Sequence, residues 1–134
     1  MTSSSFIPYG RQDIRQDDID AVVSVLCSEF LTQGPKVPAF EAAVASHTGA
    51  AHAIAVNSAT SALHIACMAL GVGSRDVVWT VPTTFVASAN CALYCGASVD
   101  FVDIDPKRYT MCPKALQTKL QTTSQLPKVI IPVH

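Results

Sequence analysis

Apolar positions fall along this chain in blocks of two kinds, some at helical spacing and some as short continuous runs. Ile19, Val22, Val23, Leu26 and Phe30 share one face of a helix opened by Asp17 and Asp18, acids that suit its positive end. Leu31-Thr-Gln-Gly34-Pro35 breaks that pattern, and Val37, Phe40 and Val44 predict a second amphipathic helix stopped by Gly49. His52-Ala-Ile-Ala-Val56 is short and apolar and reads as a strand buried on both faces. Apolar residues at 59, 62, 63, 66, 67 and 70 then predict a helix, with Gly71 as its C-cap.

The same rhythm continues. Asp76-Val-Val-Trp-Thr-Val81 reads as a strand, which Pro82 ends by removing a backbone donor. Thr83 or Thr84 can cap a helix carrying Phe85, Val86, Ala89, Ala92 and Leu93 and finished by Gly96. A strand over 98–103 and a turn at Asp105-Pro106 follow. Pro113 starts a helix with Leu116 and Leu120 inside and Lys114 and Lys119 outside, and 128–133 is a last strand. Strands alternating with helices through short connections predict an α/β architecture, with a mainly parallel sheet and flanking helices. Residues 1–50, including the polar lead-in Tyr9-Gly-Arg-Gln12, form a helical preface, and 51–134 the α/β part.

Composition narrows the choice of function. The 134 residues are 49% apolar and only 14% charged, enough to bury one core. A net charge of -1 gives no support for binding nucleic acid or an anionic membrane. The first residues lack the basic and apolar blocks of a secretory signal, and no apolar run approaches the ~20 residues of a membrane span. The cysteines at 27, 67, 91, 95 and 112 include no C-x-x-C pair and mostly sit in apolar surroundings, which reads as reduced, buried thiols in a cytoplasmic protein.

The chemistry concentrates between the predicted strand at 52–56 and the helix after it. Asn57-Ser-Ala-Thr-Ser61 has small hydroxyl and amide side chains and no bulk. A helix start there presents unpaired N–H groups and the positive end of the dipole, a seat for an anion such as phosphate. An ordinary Ser/Thr N-cap would use the same residues. In a parallel sheet ligands gather at the carboxyl ends of the strands, where residues 57–61, 82–85 and 103–105 would converge. Phe85 can stack on a flat ring or pack in the core, and Asp103 and Asp105 read as turn-formers before acid/base groups. His64 reads as a core histidine, and His134 ends the last strand.

Four segments in register resemble a known family: Val56-Asn-Ser-Ala-Thr-Ser-Ala-Leu-His64, Trp79-Thr-Val-Pro-Thr-Thr-Phe-Val-Ala-Ser-Ala-Asn90, Gly96-Ala-Ser-Val-Asp-Phe-Val-Asp-Ile-Asp105 and Ile131-Pro-Val-His134. They are similar to the N-terminal part of the pyridoxal-phosphate sugar aminotransferases of the DegT/StrS type, over about Tyr9 to His134. Leu31-Thr-Gln-Gly-Pro35 and Asn90-Cys-Ala-Leu-Tyr-Cys-Gly96 resemble the branch acting on a UDP-linked 4-keto-6-deoxy-N-acetyl-hexosamine, on the route to pseudaminic acid. The resemblance implies part of the large domain of the aspartate-aminotransferase (type I) fold, with pyridoxal 5'-phosphate as cofactor. It implies a nucleotide-sugar substrate, an amino donor such as glutamate, and a homodimer in the full-length family. It makes Thr60 and Ser61, with Ala59 beside them, contacts to the cofactor phosphate, and Phe85 the ring on the pyridine face. It brings Tyr9, Gln33 and Gly34 towards the active site or the sugar nucleotide.

Transamination by this cofactor needs a Schiff-base lysine and an acid on the pyridine nitrogen. The lysines are 36, 107, 114, 119 and 128, and none matches the family's lysine position, which lies beyond residue 134. The expectation is therefore the front portion of an aminotransferase, inactive by itself, with an unpaired sheet edge beside apolar surface. A stand-alone phosphate- or nucleotide-binding module is the alternative. A dehydrating relative, with His in place of that lysine, is a third.

Overall fold

The computed structural model describes residues 8–133, which divide into two compact units meeting between Ala55 and Val56. His134, expected at the end of a strand, lies outside the described residues.

The first unit carries α1 (Gln16–Leu26) and α2 (Lys36–Thr48). Asp18 starts α1 by accepting the Arg15 N–H at 2.9 Å. The helix stops before Phe30, which the apolar spacing had placed on its face. Ser28 is the reason: its hydroxyl donates to the Val25 carbonyl at 2.8 Å and accepts the Phe30 N–H at 3.3 Å, replacing helical partners. α2 ends as expected, with Gly49 left-handed at φ 71°. Neither helix has a buried residue.

Residues 52–56 do not form the expected buried strand. A strand needs a neighbour's backbone, and here the Ala55 N–H donates to the Glu41 carboxylate at 2.8 Å instead. Ile54 is left 77% exposed.

The second unit runs α3 (Ala59–Ala69), β1 (Val77–Thr80), α4 (Ala87–Tyr94), β2 (Ser98–Phe101), α5 (Pro113–Thr122) and β3 (Val129–Ile130). The three strands are parallel in the order β2-β1-β3, with Val77 opposite Ser98, Thr80 opposite Phe101 and Trp79 opposite Ile130. All four residues of β1 are buried, as a central strand covered on both faces must be. Val78 packs with Cys67, Cys91 and Ala92 of α3 and α4. Val77, Trp79 and Val81 pack on the other face with Val102, Met111 and, from α5, Ala115 and Leu116.

Several boundaries differ from the sequence expectation. The strands at 98–103 and 128–133 shrink to β2 and β3. Pro132 has no N–H to extend the ladder, although Lys128 and Ile131 still donate to Val77 and Trp79 carbonyls at 2.9 and 2.8 Å. α4 begins at Ala87, so Phe85 and Val86 precede it and no threonine caps its backbone. Thr84 instead pairs its hydroxyl with that of Ser88 at 3.1 Å. Leu120 is 37% exposed and not inside. Lys119, expected on the solvated face of α5, turns inward: its Nζ lies 2.6 Å from Asp100 Oδ2, donates to the Phe101 carbonyl at 2.6 Å and sits 4.9 Å from the Trp79 ring centre. The sheet offers this cation a carboxylate, a carbonyl and a ring face, and that outweighs its exposure to water.

Because α4 and α5 lie on opposite faces, the loops leaving the neighbouring strands β1 and β2 diverge. Ligands of such sheets usually bind at that carboxyl end. No helix among the described residues is long and apolar enough to cross a membrane.

Candidate functional site

Ser58 is extended, at φ −162° and ψ 156°, and serves as the N-cap of α3. Its Oγ accepts the Ser61 N–H at 3.2 Å and its carbonyl accepts the Ala62 N–H at 3.1 Å. Asn57 closes the turn from the side: its Oδ1 accepts the Ser61 hydroxyl at 2.7 Å and the Ser58 hydroxyl at 3.3 Å. The two hydroxyl oxygens lie 3.0 Å apart. This cap uses one of the helix's free N–H groups and no more. Among the described residues no acceptor meets the N–H groups of Ala59 and Thr60, or the Thr60 hydroxyl. Residues 57–59 are exposed, and Thr60 and Ser61 half-buried. Ser58 is thus an N-cap, and the N–H groups of Ala59 and Thr60 stay open beside it.

Of the residues expected to meet a phosphate, Ala59 and Thr60 present free donors, whereas Ser61 has its N–H and hydroxyl held within the cap. Asn57, which the sequence reading did not single out, is the hub of that cap. A short amide immediately before a Ser-x-x-Ser helix start was the available signal.

Residues 82–85 follow β1 and residues 103–105 follow β2, so the parallel register puts both at one edge of the sheet. Phe85 is 74% exposed there, which removes the core-packing alternative. Asp105 accepts the N–H groups of Lys107 and Arg108 at 2.8 and 3.1 Å, and the Asp103 carbonyl accepts the Cys112 N–H at 2.9 Å. Asp105 builds the turn with its carboxylate, as expected, whereas Asp103 takes part through its backbone carbonyl. Residues 57–61 have no strand to carry them to that edge. They stand at the head of α3, which packs on α4 through Cys67 against Cys91 and His64 edge-on to Tyr94, ring centres 5.3 Å apart. His64 is accounted for by that contact.

Burial pushes the Cys67 thiol up to about 11, helped by its hydrogen bond to Cys91. Cys91 is likewise buried and Cys95 and Cys112 half-buried, while Cys27 is exposed and departs from the expectation of buried thiols. Two of the lysines are structural. Lys119 works on the α5 face, opposite α3, and Lys128 donates to the Gly71 carbonyl at 2.7 Å and pairs with Asp76 at 3.3 Å.

Tyr9, Gln33 and Gly34 belong to the first unit. Tyr9 is fully exposed. Gln33 is left-handed at φ 52°, uncommon for a residue with a side chain. Gly34 lies so close to Phe30 that an added Cβ would come within 2.8 Å of the Phe30 Cβ. Both line a cavity of about 230 Å³ together with Ser24, Phe30, Leu31 and Lys36.

The sequence profile of the DegT/DnrJ/EryC1/StrS aminotransferase family matches residues 12–134. The chain belongs to this family. A UDP-4-amino-4,6-dideoxy-N-acetyl-beta-L-altrosamine transaminase of Campylobacter jejuni is 51% identical over 98 residues, covering 73% of this chain and 26% of the transaminase. Among solved structures, the pyridoxal-phosphate form of a sugar aminotransferase of Streptococcus pneumoniae, Spr1654, superposes with a TM-score of 0.79 at 32% identity, over 84% of this chain and 29% of that one. Helicobacter pylori PseC, an aminotransferase of pseudoaminic acid biosynthesis, gives 0.80 at 31% identity, over 93% and 33%. The fold is therefore that of the family's α/β large domain, and the chain spans between a quarter and a third of these relatives' length.

Proposed function

We propose that this chain supplies the phosphate seat and the ring-stacking residue of a pyridoxal-phosphate-dependent aminotransferase acting on a nucleotide-linked keto sugar. The observation that carries the reading is the pair of unpartnered N–H groups of Ala59 and Thr60 at the head of α3, inside the segment that matches the family. The residues fit the group. Two backbone donors, the Thr60 hydroxyl and the positive end of an 11-residue helix suit a phosphate dianion, and residues 57–59 before them are exposed. Phe85, exposed at the sheet edge, suits the face of a pyridine ring.

When bound, pyridoxal phosphate supplies the electron sink that lets an amino group pass from donor to keto sugar. The work of this chain is binding and orientation. Ala59 and Thr60 hold the phosphate, Ser61 joins them by releasing its internal partner, and Phe85 limits tilt of the ring. Gln33 and Gly34 are assigned to the sugar nucleotide through the resemblance of Leu31-Thr-Gln-Gly-Pro35, and Tyr9 with them. The 51% identity to the altrosamine transaminase favours a UDP-linked 4-keto-6-deoxy-N-acetyl-hexosamine as substrate, and glutamate is the donor that the family resemblance implies. The sites of the assembled homodimer, in this reading, take their bond-making lysine from outside these 134 residues. The five lysines here are placed in the solvated turns and helix faces or in the bonds of Lys119 and Lys128.

The test is incubation of the chain with pyridoxal 5'-phosphate, borohydride reduction and mapping of adducts, beside an assay with glutamate and the UDP-linked keto sugar. We expect no turnover and no single stoichiometric lysine adduct. One stoichiometric adduct with transamination would overturn the assignment of the lysine elsewhere. Tight binding of phosphate or nucleotides in general, with no preference for the pyridine ring, would favour a stand-alone binding module.

A further inference from the structure

The apolar face of α1 is open, with an acid at one end and a base at the other. Ile14, Ile19, Val22, Val23 and Leu26 stand between 46% and 64% exposed. Asp18, Val22 and Leu26 follow one another at four-residue spacing and so form a single stripe along that face. Val22 is the ridge between two open hollows of about 330 Å³ each. Asp18 borders the first, with Ile14 and Ile19, and Lys36 borders the second, with Val25 and Leu26. The two ends of the stripe are alike in size and opposite in charge.

We propose that this face binds a second copy of the chain, with α1 antiparallel to α1 across a two-fold axis at Val22. Such a pair needs a surface that complements itself after half a turn, and this stripe does. Asp18 and Leu26 each stand four residues, about 6 Å, from the axis, so each Asp18 reaches the Leu26 end of the second copy, where Lys36 lies. Asp18–Lys36 pairs then close the seam at both ends, and the two Val22 side chains meet in the middle. Among the described residues neither charge has an ion-pair partner of its own. Asp18 spends one oxygen on the Arg15 N–H and keeps the other. The helix dipoles agree with this direction. α1 has Asp17 and Asp18 in its first turn and no base in its last, so antiparallel packing sets the positive end of one helix beside the uncompensated negative end of the other. A parallel pair would set Asp18 against Asp18 and Lys36 against Lys36. A partner of one charge would match only one end of the stripe.

The pairing needs no cofactor and stands apart from the phosphate reading. An 11-residue helix is only about 16 Å long, so the seam belongs to the small, weak class of interfaces. Sedimentation equilibrium of the chain should give a dimer with a dissociation constant between about 10 µM and 1 mM. Val22→Glu puts like charges at the axis and should weaken the dimer at least tenfold. Val22 is 60% exposed, so this variant keeps its fold, which its far-ultraviolet dichroism checks. Asp18→Asn retains an oxygen for the Arg15 N–H and removes only the charge. It should weaken the dimer roughly three- to tenfold, as should Lys36→Gln, and the two together should do no more than either. Cross-linking reads the geometry directly. In a Cys27→Ser background, Val22→Cys should form a disulfide between copies under mild oxidation, because the axis brings the two Cα atoms within the ~4–7 Å that a disulfide spans. Asp20→Cys, on the opposite side of α1, should not. A monomer at 1 mM, or equal cross-linking at the two positions, would overturn the pairing. A dimer indifferent to both Val22→Glu and Asp18→Asn would overturn it too, and would assign association to the outer strands β2 and β3.

Discussion

Ser58 illustrates how one residue serves both stability and chemistry. Its side chain caps α3, and its extended backbone turns the next two N–H groups outward. Ser58→Ala should therefore cost about 1 kcal/mol in urea unfolding, the usual value for a lost N-cap. Thr60 caps nothing, so Thr60→Val should leave stability within about 0.5 kcal/mol of the parent and lower affinity for pyridoxamine 5'-phosphate severalfold. An unchanged affinity in that variant would remove Thr60 from the seat. Thiol chemistry follows burial in the same way. Iodoacetamide at neutral pH should label Cys27 first and leave Cys67, buried and raised to about 11, until the chain unfolds. Mapping of the labelled peptides with time checks the order.

Two charged clasps tie the elements of the second unit together. Asp76 accepts the Gly73 N–H at 2.8 Å and pairs with Lys128, joining the turn before β1 to the start of β3. Asp100 pairs with Lys119, joining β2 to α5. The Gly73 N–H, aided by Lys128, holds the Asp76 carboxyl below the ordinary carboxylate range, and the hydrogen bond from Lys119 does the same for Asp100. A carboxyl lowered in the folded state binds protons more readily when unfolded. The stability it contributes is therefore complete above the unfolded value and lost as pH falls through the folded one. Urea midpoints should thus be flat from neutrality down to the ordinary carboxylate range and fall below it. Asp76→Asn combined with Asp100→Asn should flatten that fall, and an unchanged acid limb would exclude both clasps as its source. Lys119→Met should cost about 1 kcal/mol, because the side chain is largely covered and its bonds to Asp100 and the Phe101 carbonyl are lost. Gly96 ends α4 at φ 77°, and an added Cβ would meet Ser74 at an ordinary 3.8 Å. Gly96→Ala should then cost about 1 kcal/mol through backbone strain alone, read from the same unfolding curves.

At the scale of the whole molecule the two units differ in what holds them. The second has a buried central strand and two apolar clusters, one on each face of its sheet. The first has two helices with no buried residue, and leaves Ile19, Val22, Val23, Leu26 and Phe40 between 46% and 64% exposed. Helices of 11 and 13 residues are marginal in water without packing on an apolar face. Hydrogen exchange should therefore protect Val78 and Trp79 far more than any amide of α1. The chain alone should also associate as its concentration rises, through those faces and the two outer strands β2 and β3. Sedimentation over a tenfold concentration range checks this, and a concentration-independent monomer would contradict it.

Much of this was legible in the residue order because it depends on local chemistry. Helical spacing located five helices, Gly49, Gly71 and Gly96 marked their ends, and Ser-Ala-Thr-Ser identified the start of α3. The motifs in register gave the family. What local chemistry could not decide was partnership. Residues 52–56 have the composition of a strand, but a strand is made by its neighbour, and Glu41 claims the Ala55 N–H first. Lys119 has the spacing of a solvated lysine, but Asp100, the Phe101 carbonyl and Trp79 are brought to it only by the packing of α5 on the sheet. Phe85 could have been core or surface until α4 was seen to begin two residues later. The sequence alone determined which groups could bind. The tertiary structure decided which were already bound to each other, and so which donors at the head of α3 remained free.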